Sequence, residues 1–281
     1  MTDARSDEGY ALLAAIAVIA VFATLALALL GQVQAALVQA NAEIERARAD
    51  AAADAGAQLA IRNLISDDRA FRWSLDGRPH QLTFAGSRLT VRLIEERSKI
   101  PLLALEEEQV RRLFELLKVP GDHLDEVVDS YLDWTDDDDE PRPNGAEFAY
   151  YARRHIHPRN APPQSFGELA LVRGFTPDLV ERLRAVATLH FGNGPFDPHH
   201  ADPIALGVMS EGGEDSPEAI EREREFAGQR TAIELDEPAT PGRTVELNVE
   251  AVTAGGGRSH LRRLIELTGN RDRPYTVIEA E

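Results

Sequence analysis

Five carboxylates stand side by side at Asp136, Asp137, Asp138, Asp139 and Glu140, with Asp133 just before them and Glu147 just after. Adjacent carboxylates repel one another, and a hard divalent cation such as calcium relieves the repulsion by drawing on about six to eight oxygens. Counting from Asp136 as first, Asp138 is third, Glu140 fifth and Glu147 twelfth, the spacing of an EF-hand loop. The sixth position, however, is Pro141, where that loop requires Gly for its sharp turn. The run therefore predicts a calcium loop of different geometry, to which Asp133 comes from a preceding helix and Glu147 from beyond the Gly145 turn. The plainer alternative is a solvated acidic turn, since charge runs are commonly just exposed.

Other residue types offer less. His155 with His157, and His199 beside His200, could ligate zinc, but neither pair has the i, i+4 spacing or the supporting carboxylates of a catalytic site. Gly192-Asn193-Gly194 reads as a turn, because no strand-to-helix GxGxxG or GKS/T pattern follows it, and no GxSxG elbow occurs. Cysteine is absent, which excludes disulfides, thiolate metal sites and thiol redox chemistry. With 48 acidic against 30 basic residues and a formal charge of −18, binding to nucleic acid is disfavoured and cations are the natural ligands. Nothing in these patterns argues for catalysis.

The acidic run needs rigid elements on both sides, and the pattern supplies them. From Pro101 onward the chain reads as helices for about a hundred residues. Val110, Leu113, Phe114 and Leu117 mark one amphipathic face, and Leu124, Val127, Val128 and Tyr131 the next, with a turn at Val119-Pro120-Gly121 between them. Ser165 with Glu168 is a capping-box signal, and Thr176-Pro177-Asp178 an N-cap with proline at the first helical position. Flanking this block are strands. FRWSL, RPHQLTF and SRLTVRLI precede it, with Leu89, Val91 and Leu93 alternating with polar residues; Val245, Leu247, Val249 and Ala251 alternate with Thr244, Glu246, Asn248 and Glu250 beyond it. Residues 260–268 and 275–278 can return as strands after the Gly255-Gly256-Gly257 turn, so the sheet is split in sequence by the helices. The charged segment 211–230, EGGEDSPEAIEREREFAGQR, reads as an exposed linker.

One further element organises the whole chain. Residues 10–30, YALLAAIAVIAVFATLALALL, hold no Asp, Glu, Lys, Arg or Pro. At about 1.5 Å per residue they make a helix of roughly 31 Å, the thickness of a bilayer's hydrocarbon core. Helix formers continue to about Ile65. Along that stalk Leu37, Ile44 and Ala51 recur at sevens and Ala51, Ala55 and Leu59 at fours, a narrow apolar stripe that calls for a partner.

With these residues laid out, the chain resembles the K-type minor pseudopilins of type II (general) secretion systems. The resemblance rests on DWTDDDDEPRPNGAEFAYY and RNAPPQSFGELALVRGFTPDLVERL, with a looser likeness in FDPHHADPIALGVM. It implies an α+β fold: a long N-terminal membrane-spanning helix packed on a small antiparallel, pilin-like sheet that carries a large inserted all-α domain. The implied division is a leader at 1–9, membrane helix and stalk at 10–66, sheet at 67–99 and 231–281, inserted helices at 100–210 and linker at 211–230. By the same resemblance Asp133, Asp136, Asp138 and Glu147 are candidate ligands of a structural Ca2+. Gly9 and Tyr10 form the prepilin-peptidase junction, and the partners are I-type and J-type minor pseudopilins. The expected location is the inner membrane, single-pass, with most of the chain in the periplasm. Cleavage after Gly9 makes Ala14 the fifth mature residue, where pilin-like subunits usually carry Glu. A neutral residue there suits a subunit that enters the filament first, at its tip, with no earlier N-terminal amine to pair with. Two competing readings share the anchor: a membrane-anchored, metal-dependent periplasmic hydrolase, and a single-pass assembly or sensor protein.

Overall fold

The computed structural model describes residues 5–66, 68, 70–198, 200–210 and 241–280. Most of the expected leader's first half, 1–4, and the expected linker at 211–230 lie outside the described residues. Helix α1 runs unbroken over Arg5–Leu64, 60 residues. It is the one described helix long and apolar enough to cross a membrane, and its apolar window is wholly exposed.

Two strands follow, β1 (His80–Phe84) and β2 (Ser87–Glu95). The chain then leaves the sheet through a tight 3-10 turn at Glu96–Ser98 and a short strand, β3 (Ile100–Pro101). Six helices come next: α2 (Glu107–Leu116), α3 (Gly121–Thr135), α4 (Phe148–Tyr151), α5 (Phe166–Leu169), α6 (Pro177–Val186) and, after strand β4 (Ala187–Thr188), α7 (Pro203–Met209). Strands β5 (Thr244–Val252), β6 (Arg258–Leu267) and β7 (Tyr275–Ala280) complete the chain. The five long strands form one antiparallel sheet in the order β1-β2-β5-β6-β7, so β2 and β5, on either side of the inserted helices, are direct neighbours. Inside the insertion β3 and β4 pair in parallel.

Two separate cores result. In one, small residues of α1 (Ala52, Ala53, Ala57, Ala60) let the helix lie close on Leu89, Val91, Leu93, Val245, Leu247 and Val249. A Cβ added at Gly56 would already touch Val249 Cγ1 at 3.0 Å. The alternation of apolar residues in β2 and β5 thus faces α1, as a period of two requires. In the other core, Phe114, Tyr131, Trp134, Tyr151, Leu169 and Leu183 close the helical insertion. The capping signals are realised: Ser165 Oγ accepts from Glu168 N, and Thr176 Oγ1 from Leu179 N.

The structure differs from the sequence reading at FRWSL, which forms no strand. Asp76 makes an isolated bridge with Ile94. Arg72 donates twice to Ser66 O, at 3.1 and 3.0 Å, and so ties the segment to the end of α1. Trp73 stacks on His80 with ring centroids 4.2 Å apart, closing the base of the core instead of extending the sheet. The apolar stripe of the stalk is also not the face that meets this sheet. Ile44 and Ala51 point to solvent, Leu37 is 59% exposed, and Ala55 and Leu59 are half-buried at the margin.

Candidate metal centre

Helix α3 turns Val127, Val128, Tyr131 and Trp134 into the core of the insertion. The same helix carries Asp129 and Asp133 one turn apart, the i, i+4 spacing that stacks side chains on a shared strip. Both are buried, and both bind the loop that follows. Asn144 donates its backbone N and its Nδ2 to Asp129 Oδ2, each at 3.0 Å. Arg142 donates its backbone N to Asp133 Oδ2 at 3.2 Å and its Nη1 to Asp133 Oδ1 at 2.9 Å. Gly145 passes so near that an added Cβ would sit 2.7 Å from Asp133 Cγ, so only glycine fits there. Its carbonyl accepts from Arg173 Nη1 at 2.9 Å, which fastens the loop from the opposite side. The two ends of the loop are thus tied to α3 and to Arg173, while Asp137, Asp138, Asp139 and Glu140 stay exposed.

Its acidic groups fall into two sets. Asp136, Asp138 and Glu147 each offer a carboxylate oxygen within 4.8 Å of the others. Asp133, fully buried, lies behind this group with Arg142 on it. Asp136 joins the two sets: its Oδ2 accepts from Arg142 Nη1 at 2.6 Å while its Oδ1 is buried with no hydrogen-bond partner. Glu147, at the start of α4, is only 4% exposed, and neither of its carboxylate oxygens has a partner. Asp138 Oδ1 accepts from Glu140 N at 2.7 Å. Asn160 Nδ2 donates to Asp138 O, and to Asp139 Oδ1 at 3.2 Å, which holds the exposed rim of the loop.

The electrostatics follow from this packing. Burial, then the nearby charges of Asp133, Asp136, Asp139 and Asp138, push the Glu147 carboxyl up to about 7. Burial also raises the Asp136 carboxyl, against the pull of Arg142. Arg142 stays cationic: burial works against its charge, but Asp136 and Asp133 outweigh it. A buried carboxylate with two orphaned oxygens, among other carboxylates, is costly unless a cation reaches it. These donors are all hard oxygens, the set that suits calcium rather than a thiophilic metal. The residues present therefore fit a divalent cation held by Asp136, Asp138 and Glu147.

Arg142 and Asn144 stand inside the acidic stretch, with no role evident from residue type or spacing. An arginine flanked by prolines inside an acidic run is the signal that could have marked it as a counter-charge. Asn160 carried no comparable signal, since it meets the loop only through the fold. His155 ends a short turn in the left-handed region at φ 59°, and His157 lies against the Phe148 ring, with centroids 5.4 Å apart. His200 Nδ1 lies 2.9 Å from Asp197 Oδ2, while His199 is outside the described residues. At the other end of the molecule Gly9 and Tyr10 lie in the helical backbone of α1, and Ala14 is exposed on it.

Residues 88–191, from β2 through the acidic loop to just past β4, match the family of type II secretion system (T2SS) protein K. Among solved structures the chain is similar to one in the crystal structure of the GspK-GspI-GspJ complex from the enterotoxigenic Escherichia coli Type 2 Secretion System. The TM-score is 0.57 at 16% identity, covering 86% of this chain and 98% of that one. Among curated proteins none matches.

Proposed function

We infer that the chain belongs to the type II secretion system protein K family and is a structural, membrane-anchored minor pseudopilin. The observation that carries this reading is the family match over 88–191, a stretch holding both the metal loop and its supporting helices. Its fold, α1 on a split antiparallel sheet with inserted helices, is of the same kind as the chain in the three-protein complex.

Several finer points extend the reading. The anchor lies in the inner membrane and the bulk of the chain in the periplasm, supported by the exposed apolar window near the start of α1. Prepilin peptidase cleaves between Gly9 and Tyr10, which makes Ala14 the fifth mature residue. The subunit sits at the tip of the pseudopilus: a neutral fifth residue needs no amine from an earlier subunit, and an insertion of this size between β2 and β5 would obstruct a subunit stacked above it. Its partners are the I-type and J-type minor pseudopilins, and they take the exposed stripe through Leu37, Ile44 and Ala51 that α1 does not spend on its own sheet. The protein works as a scaffold, not as a catalyst. Asp136, Asp138 and Glu147 hold a calcium ion whose charge neutralises them and fixes the loop; Asp133 stands behind them.

Full-length protein in detergent, mixed with the I-type and J-type minor pseudopilins of its own secretion system, should run as one three-protein complex in native mass measurement. If the two partners bind each other and leave this chain free, the assignment fails.

A further inference from the structure

Arg142 is the one guanidinium hydrogen-bonded to the carboxylates of this loop among the described contacts. Its Nη1 lies between Asp133 Oδ1 and Asp136 Oδ2. The other oxygen of Asp136 and both oxygens of the nearly fully buried Glu147 are buried without a hydrogen-bond partner, and Asp136, Asp138 and Glu147 each bring a carboxylate oxygen within 4.8 Å of the others. Asp136 is therefore a shared carboxylate: one oxygen is committed to an internal cation and the other is open to an external one.

We propose that Arg142 is a resident counter-cation that sets the affinity of the metal site through Asp136, and that Asp133 is the buried acceptor that holds it there rather than a ligand. The proposal rests on the calcium reading above. Two opposed effects follow from the geometry. Without calcium, Arg142 offsets part of the carboxylate repulsion and keeps the loop seated on α3. With calcium bound, two positive charges share Asp136, and their repulsion weakens the ion's hold. Asp133 is suited to the holding role because it also accepts from the Arg142 backbone N, and Gly145 packs directly against it. Its oxygens are thus turned toward the arginine and the loop backbone.

Calcium titration calorimetry on the full-length protein in detergent, after chelation, tests this with Arg142→Gln and Arg142→Lys. Arg142→Gln should bind calcium about tenfold more tightly than wild type, as expected from removing one nearby positive charge. In chelator it should also melt at a lower temperature, so its calcium-induced rise in Tm should exceed that of wild type. Arg142→Lys keeps the charge and should bind within about threefold of wild type. If Arg142→Gln does not fold without calcium, it is purified with the ion bound and titrated with a chelator of known affinity, which should need a higher concentration to strip it. Wild type that binds no calcium would overturn the calcium reading itself. Wild type that binds while Arg142→Gln binds equally or more weakly would overturn the role given to Arg142 alone.

Discussion

Lys99 lies where the sheet hands the chain to the inserted helices, and its ammonium is almost entirely buried. Nζ donates to Glu96 Oε1 and to Glu246 Oε2, each at 2.8 Å. Glu246 also accepts from Arg262 Nη2 at 2.9 Å and from Asn248 Nδ2 at 2.6 Å. Burial alone would raise the Glu246 carboxyl, but Lys99 and Arg262 outweigh it and hold it down at about 2. Beside this group Glu95 binds Arg243 and Arg97, so β2, β5 and β6 and the exit turn are joined by charge as well as by the sheet. Removing one partner of a buried ion pair leaves the other uncompensated, at about 3–5 kcal/mol. Lys99→Met should therefore lower unfolding free energy by about that much in urea titration. The sign of the pH dependence is also fixed. A carboxylate whose pKa is lowered by folding contributes stability that is present above its unfolded value, near 4.5, and lost as pH falls through about 2. Glu246→Gln should show a shallower acid limb than wild type over that range. None of this was legible in sequence, because Glu96, Lys99, Glu246 and Arg262 meet only after β2 and β5 pair across the insertion. By contrast Asp136, Asp138 and Glu147, which converge, stood among the candidate ligands through the family resemblance, whereas the EF-hand spacing also included Glu140, which is not in the converging group. What spacing could not give was the direction in which Asp133 faces.

At the scale of elements, α1 is held to the sheet at two heights. Near the middle of its packed stretch Gly56 meets β2 and β5. Closer to the apolar N-terminal part the β5–β6 hairpin hooks over the helix at Glu45, whose Oε2 accepts from Thr253 Oγ1 at 2.5 Å. A Cβ at Gly257 would lie 2.6 Å from the Glu45 backbone C, so the hairpin can approach only as glycine. Gly257→Ala should destabilise the protein by about 1–3 kcal/mol, the usual cost of forcing extra volume into a packed contact. Exchange of the Thr253 and Gly257 amides should accelerate first, as the hairpin lifts from α1. The Gly255-Gly256-Gly257 run was readable as a turn, because glycines between alternating segments mark one. Its function as a clip was not, since Glu45 is far away in the chain. Periodicity identified the strands that bury one face and the helices with capping residues. It misread FRWSL, where Arg72 ties the segment to the end of α1 and Trp73 stacks on His80 without adding a strand.

At the scale of the whole molecule, one chain carries a bare apolar helix, an uncovered stalk stripe and a body of inserted helices. The apolar window of α1 is exposed; the stalk stripe at Leu37, Ile44 and Ala51 is left uncovered by its own sheet; and the inserted helices leave the sheet between β2 and β5. The split sheet explains how so large an insertion is tolerated. Because β2 and β5 pair directly, the helices are added at a single junction, and each part keeps its own core. On the proposed tip reading, a filament end needs such a subunit once, whereas a shaft built of many copies would have to repeat the insertion at every step. The natural absence of cysteine makes a direct test clean. A single Ile44→Cys, cross-linked in cells to single cysteines placed along the helices of the other pseudopilins, reports which neighbour covers the stripe. A tip position predicts capture of the I-type or J-type minor pseudopilin and no ladder with the major pseudopilin. Repeated capture between major pseudopilin copies along the shaft would contradict it.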